Sequence, residues 1–354
     1  MIQSIQPLKY DLFAGLDVDK HSIAITVRDH SDFVRSLKMP NEGQKLKSFF
    51  QNHFPEKQIA CTYEAGPTGW GLYDFLTLSG IPCLVVSPSL IPKKPGAMVK
   101  TNRKDSDDLC LLLRGGQIKG VRIPSPVYRQ LRHLVTLRHD YVSRAAGTKL
   151  KIKSLFLFEN IPFPPAPAGS QWSARIIKQL YELPLDGAVR FKLHSLLDTH
   201  QFLRLKAVET QKEIRRFCKK DQDISDSLGF LTSIPGIGPV ISVHFLARIG
   251  DWRNLKNASE VGAFLGLVPR ENSTGDTIRK GSITHTGDES LRAKLIEGAW
   301  TAIKWDKELA EFYSRIKQRH PQDRGARKAI VAVARKLTAR MYAVLTQRRM
   351  YVKP

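Results

Sequence analysis

The fold is decided by residues 12–28, which read LFAGLDVDKHSIAITVR. Residues 12–16 form a short apolar run that is typical of a buried strand. Further along, Ile23, Ile25 and Val27 alternate with other residue types, as in a second strand. The polar residues between the two runs predict a turn, so the runs are expected to be neighbouring strands of one sheet.

Similar patterns continue to about residue 87. Residues 59–63 and 83–86 are strand-like, and residues 44–53 and 69–80 are helical. The resulting order is three strands, a helix, a strand, a helix and a strand. It predicts a mixed α/β sheet in which the early strands form a meander and the later ones return through crossover helices.

The rest of the chain is predicted to be mainly helical. Residues 126–220 form long, basic, leucine-containing helices that residues 162–169, PFPPAPAG, interrupt. The last third combines short helices with a loop rich in glycine and serine at 269–287 and a basic helix at 324–349. The predicted domains are residues 1–125, 126–225 and 226–354.

Charge and cysteine content restrict the class of function. The 56 Lys and Arg residues against 33 Asp and Glu give a formal net charge of +23, which indicates a polyanionic partner, nucleic acid first. No apolar run approaches the roughly 20 residues that cross a bilayer, and no signal peptide pattern is present. We therefore predict a cytoplasmic protein with no membrane partner. The four scattered cysteines predict reduced thiols and leave oxygen ligands for any metal.

Acidic residues follow two predicted strands and begin a later helix. Asp17 and Glu64 come directly after apolar runs, and Asp105 and Asp108 are three apart at the start of KDSDDLCLLLR. Carboxylates that converge repel one another unless a divalent cation neutralises them, and oxygen ligands suit Mg²⁺. We therefore predict a Mg²⁺ site for phosphoryl transfer. Taken singly, each acid also fits a turn or a helix cap.

A second motif, PGIGP at residues 235–239, lies between two apolar helical segments. This Gly-Ile-Gly turn resembles the helix-hairpin-helix element, in which backbone N–H groups bind a DNA phosphate without reading sequence. Gly236 and Gly238 are the predicted phosphate-binding residues. A tight helix connection without a ligand is the alternative.

Hydroxyl and cationic side chains share the loop at 269–287. Ser273 and Thr274 precede a glycine. A hydroxyl becomes a nucleophile when a base or a metal activates it, and cations stabilise the charge that develops on an attacked phosphate. A solvated loop is the alternative, which spacing alone does not exclude. The nearby cations predicted to contact nucleic acid are Arg270, Arg279 and Lys280.

Seven strings carry a resemblance to a known family. They are GLDVDKHS, YEAGPTGWGLYDFL, VSPSLIPKK, VKTNRKDSDDLCLLLRGG, IPGIGPVIS, FLGLVPRENSTG and GDESLRAKL. In these strings and their order, the chain resembles the transposases of the insertion sequence 110/1111 family over nearly its whole length. The resemblance implies a RuvC-like domain of the RNase H fold with an Asp-Glu-Asp-Asp metal site, a coiled-coil oligomerisation segment and a transposase domain with a catalytic serine.

The resemblance also implies a mechanism and partners. Family members use the serine as a nucleophile that forms a covalent phosphoserine link to DNA beside the metal-bound carboxylates. A structured RNA transcribed from the element's own end pairs with donor and target DNA, so base pairing selects the sequence. The implied assembly is a homodimer or a homotetramer.

Two positions need a choice between candidates. Many relatives have Lys-Thr-Asp at the positions where this chain has Lys100, Thr101 and Asn102, so this chain lacks that aspartate. Asp105 then matches the last acid of the family's Asp-Glu-Asp-Asp set. Either Asn102 is a neutral ligand or the pair has moved to Asp105 and Asp108, which we favour because two charged oxygens hold Mg²⁺ better than one. We favour Ser273 over Thr274 as nucleophile because a β-branched hydroxyl attacks phosphorus less readily.

Two other functions remain open. A metal-dependent nuclease similar to a RuvC resolvase would activate water and form no covalent link to DNA. A non-enzymatic RNA- or DNA-binding protein would need only the positive charge. Alanine at Asp17 or Glu64 would leave the function of such a binding protein intact.

Overall fold

The computed structural model describes residues 4–92, 101–167, 169–271, 280–319 and 324–352. The chain divides into two compact units, Met1–Ile123 and Pro124–Pro354. Both helical segments predicted from the sequence belong to the second unit. In the described residues, no helix is long and apolar enough to cross a membrane.

The first unit is built on a five-stranded mixed sheet, with strand order β3-β2-β1-β4-β5. Strand β2 is antiparallel to both β1 and β3, while β1, β4 and β5 are parallel. The predicted meander and crossover strands are therefore confirmed, and the topology is consistent with an RNase H-like transposase domain. The elements are β1 Leu12–Val18, β2 Ser22–Arg28, β3 Phe33–Pro40, α1 Gly43–His53, β4 Ile59–Glu64, α2 Gly71–Leu78, β5 Cys83–Val86 and α3 Asn102–Arg114.

The two faces of the sheet bury different cores because side chains alternate along each strand. Leu12, Ala14 and Leu16 pack in a core that includes residues of α1 and α2. Phe13 packs on the opposite face with residues of α3. A Cβ at Gly15 would lie 1.9 Å from the Ser106 carbonyl oxygen, so glycine is what lets α3 approach the centre of β1.

We expect Gly15→Ala to lower the free energy of unfolding by about 1–3 kcal/mol, because α3 must move away from the sheet. Gly71→Ala is the matched control, since a Cβ at Gly71 would meet nothing within 4 Å. Urea denaturation of both variants and the parent chain measures the difference. Equal stability of Gly15→Ala and the parent would contradict this packing.

In its described residues, the second unit is helical apart from one small hairpin. Helices α4 and α6 lie against each other, and the largest core in the unit is formed mainly by residues of α8, α10 and α12. The elements are α4 Pro126–Phe158, α5 Ala174–Tyr181, α6 Gly187–Lys219, α7 Gln222–Thr232, α8 Pro239–Ile249, α9 Ala258–Phe264, β6 Pro269–Glu271, β7 Lys280–Ile283, α10 Glu289–Trp305, α11 Lys307–Gln318 and α12 Arg324–Gln347.

Two features of the second unit differ from the sequence-based expectation. The predicted helical stretch that runs to about residue 220 is two helices, because Pro184 lies in the break between α5 and α6. The predicted loop at 269–287 contains two antiparallel strands, in which Pro269 pairs with Ile283 and Glu271 with Lys280. Strands of three and four residues are too short to show an alternating pattern.

Candidate active site

Asp17 and Glu64 lie at the carboxyl ends of neighbouring parallel strands. Leu16 of β1 is in register with Tyr63 of β4, and Asp17 and Glu64 are the next residue on each strand. Side chains alternate between faces, so both acids belong to the face that α3 covers. Asp17 is half-buried and Glu64 is exposed. Two of the predicted acids therefore share one edge of the sheet.

Helix α3 runs antiparallel to β1 across this face. The Cys110 thiol donates to the Phe13 carbonyl oxygen at 3.0 Å, while the Ser106 carbonyl oxygen is the closest atom to a Cβ built on Gly15. Four residues along the helix therefore advance as far as two residues along the strand, about 6–7 Å in each case. One further step along the same alignment brings Asn102 level with Asp17.

The two sides of α3 face different strands. Asp107 forms a bidentate ion pair with Arg28 of β2, with distances of 2.7 and 3.2 Å. Successive helix residues are about 100° apart, so Asp105 lies on the opposite flank, towards β4 and Glu64. Asp108 lies about 200° from Ser106, which faces the sheet through its 2.9 Å contact with Thr26. Helix geometry therefore directs Asp105 towards the strand-end acids and Asp108 away from the sheet.

The positions of the predicted acids can be compared with what a metal ion requires. Among the described residues, no group of three or more His, Cys, Asp or Glu side chains is close enough to hold one. The donor set at the sheet edge still has the right chemistry, because Asp17, Glu64, Asp105 and Asn102 all offer oxygen atoms to a hard cation. Asp108 as fourth ligand stays a prediction, and Asn102 is the better placed alternative.

A cleft of about 320 Å³ opens beside the start of α3 in the same unit. Arg28, Arg103 and Lys104 line it, together with Thr101 and Asp107. The Thr101 hydroxyl accepts the Lys104 N–H at 3.3 Å and so caps the helix. The cleft therefore carries the cations Arg103 and Lys104 in addition to Arg28, whose charge is paired with that of Asp107.

The base of the β6–β7 hairpin in the second unit is held by glycines and a buried arginine. Gly266 and Gly287 both have positive φ, and a Cβ at either would lie 2.3 Å from a carbonyl oxygen of the other chain segment, Thr286 or Phe264. Arg292 donates to the carbonyl oxygens of Leu265, at 3.3 Å, and of Thr286. The two ends of the hairpin are therefore fixed at short distance.

The hairpin carries the segment with the predicted nucleophile. Ser273, Thr274 and Arg279 lie outside the described residues. Lys280 begins β7, and its side chain is not among those described. Arg270 in β6 donates to the Thr284 carbonyl oxygen at 3.3 Å. The roles predicted for these residues therefore remain predictions.

An open cleft of about 710 Å³ borders the hairpin base. Asp288, which lines this cleft, caps α10 by accepting the Leu291 N–H at 2.7 Å, and it pairs with Arg248. Ser290 donates to the same carboxylate at 2.8 Å, and His244 lies 3.5 Å from it. The lining residues are Arg132, His139, Arg248, Phe264, Gly287, Asp288, Glu289, Ser290 and Ala293.

The electrostatics of this cluster favour an ionised Asp288. Burial by itself would raise the pKa of Asp288, but hydrogen bonds from His244, Leu291 and Ser290 and the Arg248 charge hold the pKa well below its usual range. Burial lowers the pKa of His244, which keeps its imidazole neutral. The sequence analysis did not predict this cluster. Its signal in the sequence is an aspartate two residues before the helix-forming run SLRAKL.

We expect Asp288→Asn to lower the free energy of unfolding at neutral pH by about 3 kcal/mol, because it leaves Arg248 without its partner. The folded pKa of Asp288 lies below the unfolded value of 3.8, so this stabilisation is complete above pH 3.8 and decreases as the pH falls below it. Denaturation at several pH values measures the effect. The control is Asp186→Asn, at an exposed N-cap without a side-chain cap hydrogen bond. A pH-independent difference would contradict the account.

The predicted helix-hairpin-helix turn connects α7 and α8. Gly236 has φ +85°, and a Cβ there would lie 2.3 Å from the Gly298 carbonyl oxygen of α10. This glycine is therefore required for packing, whatever else it does. Gly238 is exposed and is the N-cap of α8. Phosphate binding by the two glycines stays a prediction.

Comparison with known proteins identifies the class as transposase. The family profile for the transposase of the DEDD type of IS110 matches residues 14–159, and that of the "Transposase IS116/IS110/IS902 family" matches residues 229–314. The first match contains the acidic sheet edge, and the second contains the hairpin and all the residues that line the cleft except Arg132 and His139.

Individual relatives support the same class. A protein of Sinorhizobium fredii named "Putative transposase y4qE" is 31% identical over 298 residues, which cover 82% of this chain and 72% of the relative. The transposase for insertion sequence element IS1111A of Coxiella burnetii is 26% identical over 285 residues, 77% of this chain and 73% of its own. A pilin gene-inverting protein of Moraxella bovis is 30% identical over 132 residues, 37% of this chain and 40% of its own. The chain belongs to the IS110/IS1111 family and is a DNA transposase.

Proposed function

We propose that this transposase excises and inserts its insertion-sequence element by cutting and rejoining DNA through a serine nucleophile beside a Mg²⁺-bound carboxylate cluster. The observation that carries the proposal is the register of β1 and β4, which puts Asp17 and Glu64 at one edge of the sheet, below α3. Family membership supports the same chemistry at this edge, because its profile covers all the acids concerned.

The metal would be held by Asp17, Glu64 and Asp105, with Asn102 or Asp108 as the fourth ligand. Mg²⁺ supplies charge that stabilises the attacked phosphate when it is bound. The half-buried position of Asp17 limits access of water to one side of the site. Arg28, Arg103 and Lys104 would orient the DNA backbone from the neighbouring cleft.

The nucleophile would be Ser273, with Thr274 as the rival. Its oxygen attacks phosphorus while the bond from phosphorus to the leaving DNA oxygen breaks, and the proton of the serine leaves for a base. The phosphoserine would keep the energy of the phosphodiester bond. The hydroxyl of a DNA end can therefore later attack the phosphoserine, which rejoins the DNA and releases the serine. The fixed ends of the β6–β7 hairpin support this role, because they limit the positions that a nucleophile between them can take.

An oligomer is supported by the arm that α4 and α6 form. This arm exposes several large apolar side chains, and soluble monomers rarely have large exposed apolar patches. Leu157 is 85% exposed, Phe158 86% and Phe191 78%. We propose that a second copy covers them, giving a homodimer or a homotetramer on two DNA duplexes.

A structured guide RNA would account for the net charge of +23 without a sequence-reading protein motif. The test is cleavage of a plasmid that carries the element, using protein purified from its host cell. We expect cleavage to stop after chelation of Mg²⁺ and after RNase treatment of the protein. Water-dependent cleavage without a protein–DNA adduct would favour the nuclease alternative instead.

A further inference from the structure

Two tryptophans are exposed in the last two turns of α10, whereas the cleft residues of this helix lie at its start. Trp300 is 42% exposed and Trp305 is 70% exposed. Large aromatic side chains lose more hydrophobic stabilisation by exposure than any other residue type. Two exposed tryptophans close together on one helix are therefore a candidate ligand-binding surface.

The two indoles are arranged by the helical hairpin of α10 and α11. Trp300 contacts Tyr313 of α11 edge to face, with the ring centroids 5.6 Å apart and an interplanar angle of 61°. Trp305 is five positions after Trp300, which places the two side chains about 140° apart around the axis of α10. Lys304 points in a direction between the two. Two flat apolar surfaces thus border one cation.

The corner between the two helices is fixed by a buried acid. Asp306 is 4% exposed and accepts the Leu309 N–H at 3.0 Å. Arg340 of α12 donates to its carboxylate at 2.7 Å, and Tyr351 donates at 3.1 Å. Burial alone would raise the pKa of Asp306, yet these donors hold the pKa below its usual value. Trp305, which directly precedes Asp306, is therefore held on a rigid frame.

The surroundings of the tryptophans are cationic. Beyond the first turn of α10, the described exposed residues of α10 and α11 and the residue after α11 include five cationic and two acidic side chains. An apolar protein partner would favour fewer charges around the aromatic rings, whereas nucleic acid favours aromatic faces with cations beside them. The cations are Lys304, Lys307, Arg315, Lys317 and Arg319, and the acids are Glu297 and Glu311.

We propose that Trp300 and Trp305, one on each side of Lys304, are the two stacking positions of a surface that binds unpaired bases of a single-stranded nucleic acid. Bases stack on the indole rings, and the neighbouring cations contact the phosphates. Every base has a π-face, so such a surface tolerates any sequence. A paired duplex hides its base faces, so the surface discriminates single strands from duplexes. This site is independent of the carboxylate and serine chemistry and does not require it.

The experiment uses the full chain in titrations with a 20-nucleotide single strand, oligo(dT) or oligo(U), and with a duplex of equal length. We expect the strands to quench tryptophan fluorescence, and the variant Trp300→Ala/Trp305→Ala to bind them roughly tenfold more weakly or worse. Duplex binding should change less than twofold. Trp305→Phe should keep part of the affinity because phenylalanine still stacks.

Leu78→Ala is the control, since it removes an apolar side chain of α2 that is 89% exposed and belongs to none of the proposed sites. Its single-strand affinity should equal that of the parent chain. Unchanged single-strand binding by the double variant would overturn the proposal, and so would equal losses for single strand and duplex. A lower oligomer mass of the double variant in light scattering, with single-strand binding retained, would assign the surface to a protein contact instead.

Discussion

Asp17→Asn is expected to lower the rate of DNA cleavage at least about a hundredfold while the affinity for DNA changes little. The substitution keeps the size of the side chain and removes the charge that would hold Mg²⁺ at the end of β1. Because Asp17 is half-buried beside Glu64, water replaces that charge poorly. Single-turnover cleavage of a labelled substrate measures the rate, and gel-shift titration in Ca²⁺ measures the affinity.

Asp19→Asn is the control for this prediction. Asp19 is exposed just beyond the same strand and accepts the N–H of Lys20 at 2.7 Å. Cleavage by this variant should match the parent. Further substitutions identify the fourth ligand: Asn102→Asp should preserve or increase the rate if Asn102 is the ligand, and Asp108→Asn should lower it if Asp108 is. Full cleavage activity of Asp17→Asn would show that the sheet edge has no catalytic role.

Ser273→Ala is expected to abolish the covalent protein–DNA adduct, since the variant has no oxygen to form the bond. Denaturing electrophoresis of the stopped reaction detects the adduct as labelled DNA that migrates with the protein. Strand joining should be lost with it, because the proposed phosphoserine intermediate would keep the phosphodiester energy.

Thr274→Ala is the neighbouring control and should keep the adduct. The reverse result, loss of the adduct in Thr274→Ala and retention in Ser273→Ala, would assign the nucleophile to Thr274. Cleavage by the parent chain without any adduct would remove the serine mechanism altogether and leave a metal-dependent nuclease.

The sheet of the first unit could be predicted because its signal is local. Buried parallel strands have apolar runs such as residues 59–63, and β2 alternates from Ile23 to Val27. The positions of Asp17 and Glu64 followed from the same runs, since strand order brings the carboxyl ends of β1 and β4 together. A property that depends on neighbouring residues along the chain is readable from the sequence.

The features that could not be predicted depend on contacts between distant residues. The close approach of α3 rests on Gly15 meeting Ser106, 91 positions further along the chain. The Asp288 cluster joins α8 to α10 through His244 and Arg248, and neither residue stands out from a helix pattern. The direction of α3, which the Asp107–Arg28 ion pair fixes, could not be read from helix spacing, and the choice between Asp108 and Asn102 stays a prediction.

The most direct test of the metal site is a crystal structure of the full chain grown with Mn²⁺ in place of Mg²⁺, with anomalous diffraction to locate the ion. We predict an anomalous peak bound by carboxylate oxygens of Asp17, Glu64 and Asp105, at distances of about 2.0–2.3 Å. Density for Mn²⁺ elsewhere only, or these three carboxylates too far apart to share one ion, would contradict the proposed chemistry.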